Sequence, residues 1–448
     1  MRFKPYSKYK KSGIEWLGEV PAHWKIRKIK WLFQIQKRIA GTLGYDVLSI
    51  TQQGIKVKDT ESGDGQLSMD YSKYQFVEIG DFAMNHMDLL TGYVDISKFH
   101  GVTSPDYRVF TARDLTICFK QYFLYLFQIA YKNKIFYPFG QGSSHLGRWR
   151  LPTDQFNAFL LPLPEVEEQI AISAFLDRET AKIDTLISKQ EKLIELLKEK
   201  RQAVILRAVT KGTNPTVPMK PSGVDWIGDV PAHWEIRSIK SILCERIEKN
   251  DPVKTTFILS LTMEQGVIPY SERSGGGNKA KEDLTAYKLA YPNDIVINSM
   301  NVVAGSAGLS KFFGAVSPVY YMLFPRQKED KVEYFSNIFQ CQSFQRSLLG
   351  LGNGIMMKEA ESSGKLNTIR MRIPMGKLSA QVVPYPSSQE QESIVHYIDS
   401  ELNKIDVLIA KSEQAIRLQM EHRSALINAV VTGKINVMEA ITDLQQAA

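Results

Sequence analysis

The sequence predicts an α+β fold with two tandem, similar α/β globular heads and two long antiparallel helices forming a coiled coil, the halves related by a pseudo-two-fold internal repeat. Three observations predict it. The stretch SGIEWLGEVPAHW, residues 12–24, returns as SGVDWIGDVPAHW at 222–234 with nine of its 13 positions identical. Shorter matched stretches then recur in the same order through both halves. Each half ends in some 40 residues free of Gly and Pro, patterned as a helix.

The repeat can be followed element by element, and missing it would mis-assign the fold. Leu48-Ser-Ile-Thr51 with Gln53-Gly54 answers to Leu259-Ser-Leu-Thr262 with Gln265-Gly266. Gly80-Asp-Phe-Ala-Met-Asn85 answers to Asn293-Asp-Ile-Val-Ile-Asn298, and Gly101-Val-Thr-Ser-Pro-Asp-Tyr107 to Gly314-Ala-Val-Ser-Pro-Val-Tyr320. The loop Gly140-Gln-Gly142 answers to Gly352-Asn-Gly354, and Leu161-Pro-Leu-Pro164 to Val383-Pro-Tyr-Pro386. Extra residues concentrated after the second glycine loop fit two copies of one fold with differently built loops. Short apolar runs after turn residues (Phe82-Ala-Met, Ile295-Val-Ile-Asn, Val319 to Phe324) read as strands. Phe119–Tyr131 and Val332–Leu349 read as helices. The expected boundaries are a first head at 1–163, a long helix at 164–211, a linker at 212–221, a second head at 222–386, a second long helix at 387–433 and a tail at 434–448.

Both long segments carry a seam at one heptad position. In the first it runs Leu176, Ile183, Gln190, Leu197, Val204; in the second Ile398, Ile405, Ser412 and Leu426. A sustained seam of this kind predicts helix against helix, and a polar residue at one slot would fix the register. At 1.5 Å per residue each segment would be a rod of roughly 60 Å. Lys211-Gly-Thr-Asn-Pro-Thr-Val-Pro218 ends the first rod and turns the chain back, which makes the pair antiparallel.

Composition narrows the function classes. The chain has 448 residues, 44% hydrophobic and 23% charged, which predicts more than one domain. No apolar run reaches membrane-spanning length, and the basic start MRFKPYSKYKKSG has no signal-peptide core, so a cytoplasmic protein is expected. Cys118, Cys244 and Cys341 are scattered and make neither a disulfide framework nor a metal pair. A net charge of +8 points to a polyanionic partner, most commonly nucleic acid.

Two similar heads on an antiparallel helix pair could touch two inverted sites at a fixed spacing. Because the heads differ in sequence, the two half-sites should differ too. Arg and Lys suit guanine, Asn and Gln suit adenine, and basic or hydroxyl groups hold phosphates. In the first head Gln52, Gln53, Lys56, Lys58, Gln141, Ser143, Ser144, His145 and Arg148 are candidates on polar loops. In the second they are Gln265, Arg273, Asn278, Lys279, Asn353, Lys358 and Lys365. Catalytic patterns fail: Gly364-Lys365-Leu366 lacks the rest of a P-loop, and no Asn-Pro-Pro-Tyr or Asp-Pro-Pro-Tyr sequence occurs. The seven histidines have no metal-ligand spacing. His23 and His233, at the same place in both opening phrases, have Pro, Ala and Trp as neighbours and read as packing residues, with Trp16, Trp24, Trp226 and Trp234 anchoring each head to the base of the helices.

The paired phrases, Gly-Val-Thr-Ser-Pro-Asp-Tyr and Gly-Ala-Val-Ser-Pro-Val-Tyr, and the helix starts Leu-Pro-Leu-Pro-Glu-Val-Glu-Glu-Gln-Ile and Val-Pro-Tyr-Pro-Ser-Ser-Gln-Glu-Gln-Glu together carry a family likeness. So do Phe175-Leu-Asp with Lys182-Ile-Asp184, and Tyr397-Ile-Asp with Lys404-Ile-Asp406. The chain resembles the specificity subunit of type I restriction-modification systems over nearly its whole length. The resemblance implies a non-catalytic, sequence-specific DNA-binding subunit with two target-recognition domains, each reading one half of an asymmetric bipartite target in double-stranded DNA. It implies helices that set the spacer and dock two methyltransferase (modification) subunits, with two restriction (translocase and nuclease) subunits alongside. No cofactor is then expected on this chain; S-adenosylmethionine, ATP and magnesium belong on the partners. Two other readings remain: a coiled-coil scaffold with incidental basic charge, and an autonomous DNA-modifying enzyme.

Overall fold

The computed structural model describes residues 4–59, 71–143, 148–262, 265–273, 280–300, 305–352 and 372–438. The chain divides into two compact units, one of residues 1–190 with 414–448, the other of residues 191–413. The division therefore runs through the long helices, so each unit takes in one head and part of both helices.

In the first unit a four-stranded antiparallel sheet has the order Phe33–Gln36, Arg108–Ala112, Phe82–Met84, Val94–Ile96. The alternation of apolar residues buries Phe33, Phe82 and Phe110 on one face, where they pack edge-to-face or stacked with Phe127 of the helix Lys120–Lys132. The short hairpin Leu48–Thr51 with Gly54–Val57 covers the other side of the sheet, its Leu48, Ile50 and Ile55 packed with Val77, Ala83 and Val109. Lys25–Lys28 pairs with Leu160–Leu163, which leads directly into the first long helix, Val166–Lys211.

The second unit repeats this order with other residues. Its sheet runs Leu243–Arg246, Tyr320–Pro325, Ile295–Asn298, Ala307–Leu309. Leu243, Ile295 and Leu323 stand where the first unit has Phe33, Phe82 and Phe110. Glu235–Ser238 pairs with Val382–Tyr385 ahead of the second long helix, Ser388–Val431. The helix expected over 332–349 is two: Val332–Gln340 and Gln342–Ser347. Cys341 between them is extended (φ −73°, ψ 119°), and the N–H of Gln342 donates to Gln202 of the first long helix, 3.0 Å away, instead of to its own turn. The expected linker is also shorter, because Met219–Pro221 pairs as a strand with Asp229–Pro231.

Within each unit the helices run antiparallel. Asp184 accepts from Nε and Nη2 of Arg423 (2.8 and 3.2 Å) in the first unit, and Arg201 donates to Asp406 (2.8 Å) in the second. Of the seam residues, Leu176, Ile183, Leu197, Ile398, Ile405, Ser412 and Leu426 are buried, while Gln190 and Val204 are only half-buried. Ile205 is buried in place of Val204. The cause is the α-helical pitch: a strict heptad drifts by about 20° each repeat, so over four heptads from Leu176 the buried stripe moves on by nearly one residue.

Candidate nucleic-acid interface

Each head is locked to the helices by the opening phrase of its repeat. Trp24 and Trp234 are fully buried. The indole N–H of Trp24 donates to Glu168 in the first turn of the first long helix (3.0 Å), and His23 Nε2 lies 2.9 Å from the same oxygen. Tyr6 donates its hydroxyl to the other oxygen at 2.6 Å, and burial followed by this carboxylate raises the phenol's pKa. In the second unit Trp234 (3.1 Å) and His233 (2.7 Å) meet Glu390, and Ser387 takes the place of Tyr6 at 2.8 Å. Ser387 and Glu390 also form a capping box, Ser-x-x-Glu, that starts the helix. Burial disfavours the Glu390 charge, but the bonds from His233, Trp234 and Ser387 outweigh it and bring its pKa to about 2.

The other ends of the helices close on the same indoles. Gly433, at φ +74°, ends the second helix against Trp24, and Gly212, at φ +70°, ends the first against Trp234. A Cβ on Gly433 would lie 2.3 Å from Pro21 Cδ, and one on Gly212 would lie 3.1 Å from Trp234, so backbone shape and space both select glycine. Tyr122 and Tyr334 complete the joint, donating to Val431 and Val209 carbonyls respectively.

Held on this base, the first head presents its hairpin turn Thr51-Gln52-Gln53-Gly54. Asp95, in the middle of the strand Val94–Ile96, accepts the Ile55 N–H at 3.1 Å beneath the turn. Gln52, Gln53 and Lys56 are exposed at its tip, with Lys56 donating to Gln53 and Gln52 to the Thr91 carbonyl. A second hairpin pairs Gln141–Ser143 with Arg148–Arg150. At its root Arg108 is buried over the Phe156 ring and donates to the Leu151 carbonyl. Burial first, then Arg108 and Arg150, pushes the His86 pKa down to about 3, so this imidazole is neutral at physiological pH. Arg108 itself is brought down to about 10 by burial. Among the described residues no group of three His, Cys, Asp or Glu is placed to hold a metal, and no helix is long and apolar enough to cross a membrane.

The type I restriction modification DNA specificity domain matches residues 21–196, a span that includes the anchor, the sheet, both hairpins and the start of the first long helix. The type I restriction enzyme MjaX specificity subunit of Methanocaldococcus jannaschii is 22% identical over 98% of this chain and 99% of that protein. The MjaVIII specificity subunit of the same organism is 23% identical over 63% of each. A solved structure from a study of complex assembly and conformational transition in the type I restriction-modification system has the same fold, with TM-score 0.62, 13% identity, and coverage of 93% of this chain and 99% of that one.

Along nearly its whole length the chain is similar to type I restriction-modification specificity subunits, and residues 21–196 match their DNA specificity domain. Neither a plain scaffold nor an autonomous modifying enzyme finds support in these matches. Of the nominated base-reading residues, Gln52, Gln53, Lys56, Gln141 and Gln265 are exposed, and Lys58 and Arg273 are half-buried. Gln141, Ser143 and Arg148 lie on paired strands rather than in an open loop. Ser144, His145, Asn278, Lys279, Asn353, Lys358 and Lys365 lie outside the described residues. Sequence reasoning missed Glu168 and Glu390. The signal was available: both stand three residues into a helical pattern opened by a double-proline stretch, and both are matched by a His-Trp pair in the same repeat.

Proposed function

We propose that each head reads one half of an asymmetric bipartite DNA target, and that the paired helices hold the two readings at a set spacing. The observation that carries this is the common anchor beneath unlike hairpins. Both heads are fixed by the same Trp–Glu–Gly joint, while the polar tips above it differ in sequence. The chain itself is then non-catalytic. Two modification subunits would bring S-adenosylmethionine, two restriction subunits would bring ATP and magnesium, and the complex would work in the cytoplasm. Docking of protein partners is supported by apolar side chains that remain exposed along the helices, Leu186, Leu193 and Leu196 on the first and Val407, Leu408 and Leu418 on the second.

Methylation mapping with the chain and its modification subunits tests the reading. A bipartite asymmetric motif is expected, and exchange of residues 25–163 for a relative's head should change one half-site only. Insertion of a heptad in both helices should lengthen the spacer. Methylation without sequence preference, or by the chain alone, would overturn the proposal.

A further inference from the structure

The second unit contains a cleft of about 450 Å³. Beside it the two units differ at one strand position. In the first unit Asp95 sits under the hairpin, its carboxylate oxygen only 2.6 Å from where a Gly54 Cβ would lie. The same place in the strand Ala307–Leu309 is Gly308, whose Cβ, were it present, would lie 2.9 Å from Gly266 Cα. No side chain fits there, and the cleft lies between the hairpin Leu259–Pro269, the break at Cys341 and the long helices.

The walls are mostly amide. Gln202, Gln265, Gln340, Gln342 and Gln345 line the cleft, over an apolar floor that includes Ile205, Leu309 and Leu402. The side chains of Gln265, Gln340 and Gln342 make no hydrogen bond to protein groups among the described residues. Arg201 is present, but its guanidinium is bound to Asp406 at 2.8 Å. Among the described residues neither lysine nor a carboxylate lines the cleft, and its one guanidinium is paired with Asp406.

A carboxamide offers one donor and one acceptor side by side, the match for the N6 amino group and N7 of adenine. Guanine would call for a free guanidinium or ammonium toward O6 and N7, or a carboxylate toward its N–H groups, and among the described residues the cleft offers none of these. The volume lies within the range of small-molecule sites, and apolar side chains under polar walls suit a heteroaromatic ring. We infer that this cleft is an adenine-binding site, with Gln340 and Gln342 as recognition residues. The ring could belong to a free adenine nucleotide or to a base of bound DNA; only the second source rests on the proposed reading of DNA by the second head.

The full chain in complex with its modification subunits is titrated with AMP and, separately, GMP by saturation-transfer NMR. A parallel arm measures affinity for target duplexes in which single adenines of one half-site are replaced by 7-deazaadenine. Gln340→Leu and Gln342→Leu are compared with the parent in both arms, and their melting temperatures confirm the fold. Saturable AMP binding without GMP binding, lost in both variants, supports the site with a free nucleotide as its source. No AMP binding, but about tenfold weaker binding of one 7-deaza duplex that the variants no longer distinguish, supports it with DNA as its source. Equal responses to AMP and GMP, responses unchanged by the substitutions, or silence in both arms overturn it. Site-specific methylation by the same complex reads the proposed function separately, so the two can fail independently.

Discussion

The two heads share a joint and differ in nearly everything built on it. The first fills its core with interlocked aromatic rings, Phe33, Phe82, Phe110 and Phe127; the second puts Leu243, Ile295 and Leu323 in the first three places and keeps only Phe339. The first clamps its hairpin with Asp95, whereas the second has Gly308 and an open cleft. Yet Trp24 and Trp234 make the same bond to Glu168 and Glu390, beside Gly433 and Gly212. The lesson is that the connection of head to helices tolerates little change, while core chemistry drifts freely provided volume and pattern are kept.

Breaking the shared joint should have the largest effect. Trp24→Ala or Trp234→Ala removes a fully buried indole and leaves its carboxylate partner, buried Glu168 or half-buried Glu390, short of a donor, and is expected to cost about 3–5 kcal/mol of its own unit's stability. Chemical denaturation should show that unit unfolding early. A changed target motif with stability intact would contradict the anchoring role.

Next come the cores. Phe110→Ala should cost about 4 kcal/mol and Leu323→Ala about 3, each moving only its own unit's denaturation midpoint. An acid titration sharpens the contrast at the joint. Glu390 has a folded pKa of about 2, below the ordinary carboxylate value, so its charge stabilises the folded state above that ordinary value. The contribution should disappear as pH falls from about 4.3 toward 2, and Glu390→Gln should flatten that part of the stability curve.

Smaller effects follow at the hairpin. Asp95→Ala should cost about 1 kcal/mol and speed exchange of the Ile55 amide, whereas Asp95→Asn, which keeps an acceptor, should restore protection. Smallest are the exposed interhelical pairs. Double-mutant cycles on Asp184–Arg423 and Arg201–Asp406 are expected to give about 0.5 kcal/mol each, falling with added salt.

Much of this architecture could be read before any coordinates. Repeated phrases mark equivalent elements because the same joint needs the same residues, and absence of Gly and Pro marks a long helix because either would interrupt it. What could not be read depends on contacts distant in sequence. The break at Cys341 is decided by Gln202, some 140 residues earlier. The exchange of Val204 for Ile205 comes from accumulated helical drift, which a strict seven-residue template ignores. The contrast of Asp95 with Gly308 was invisible because it acts through the hairpin lying over it, not through its neighbours in the chain.

The glycine at the end of each long helix has a consequence in time as well as in space. The first unit's joint includes Gly433 and Val431 against Trp24 and Tyr122, so the head translated first cannot complete its joint until residue 433 has been synthesised. The second unit uses one continuous span, 191–413, and has all its parts earlier. In order of synthesis the heads run first to second; in order of completion they run in reverse.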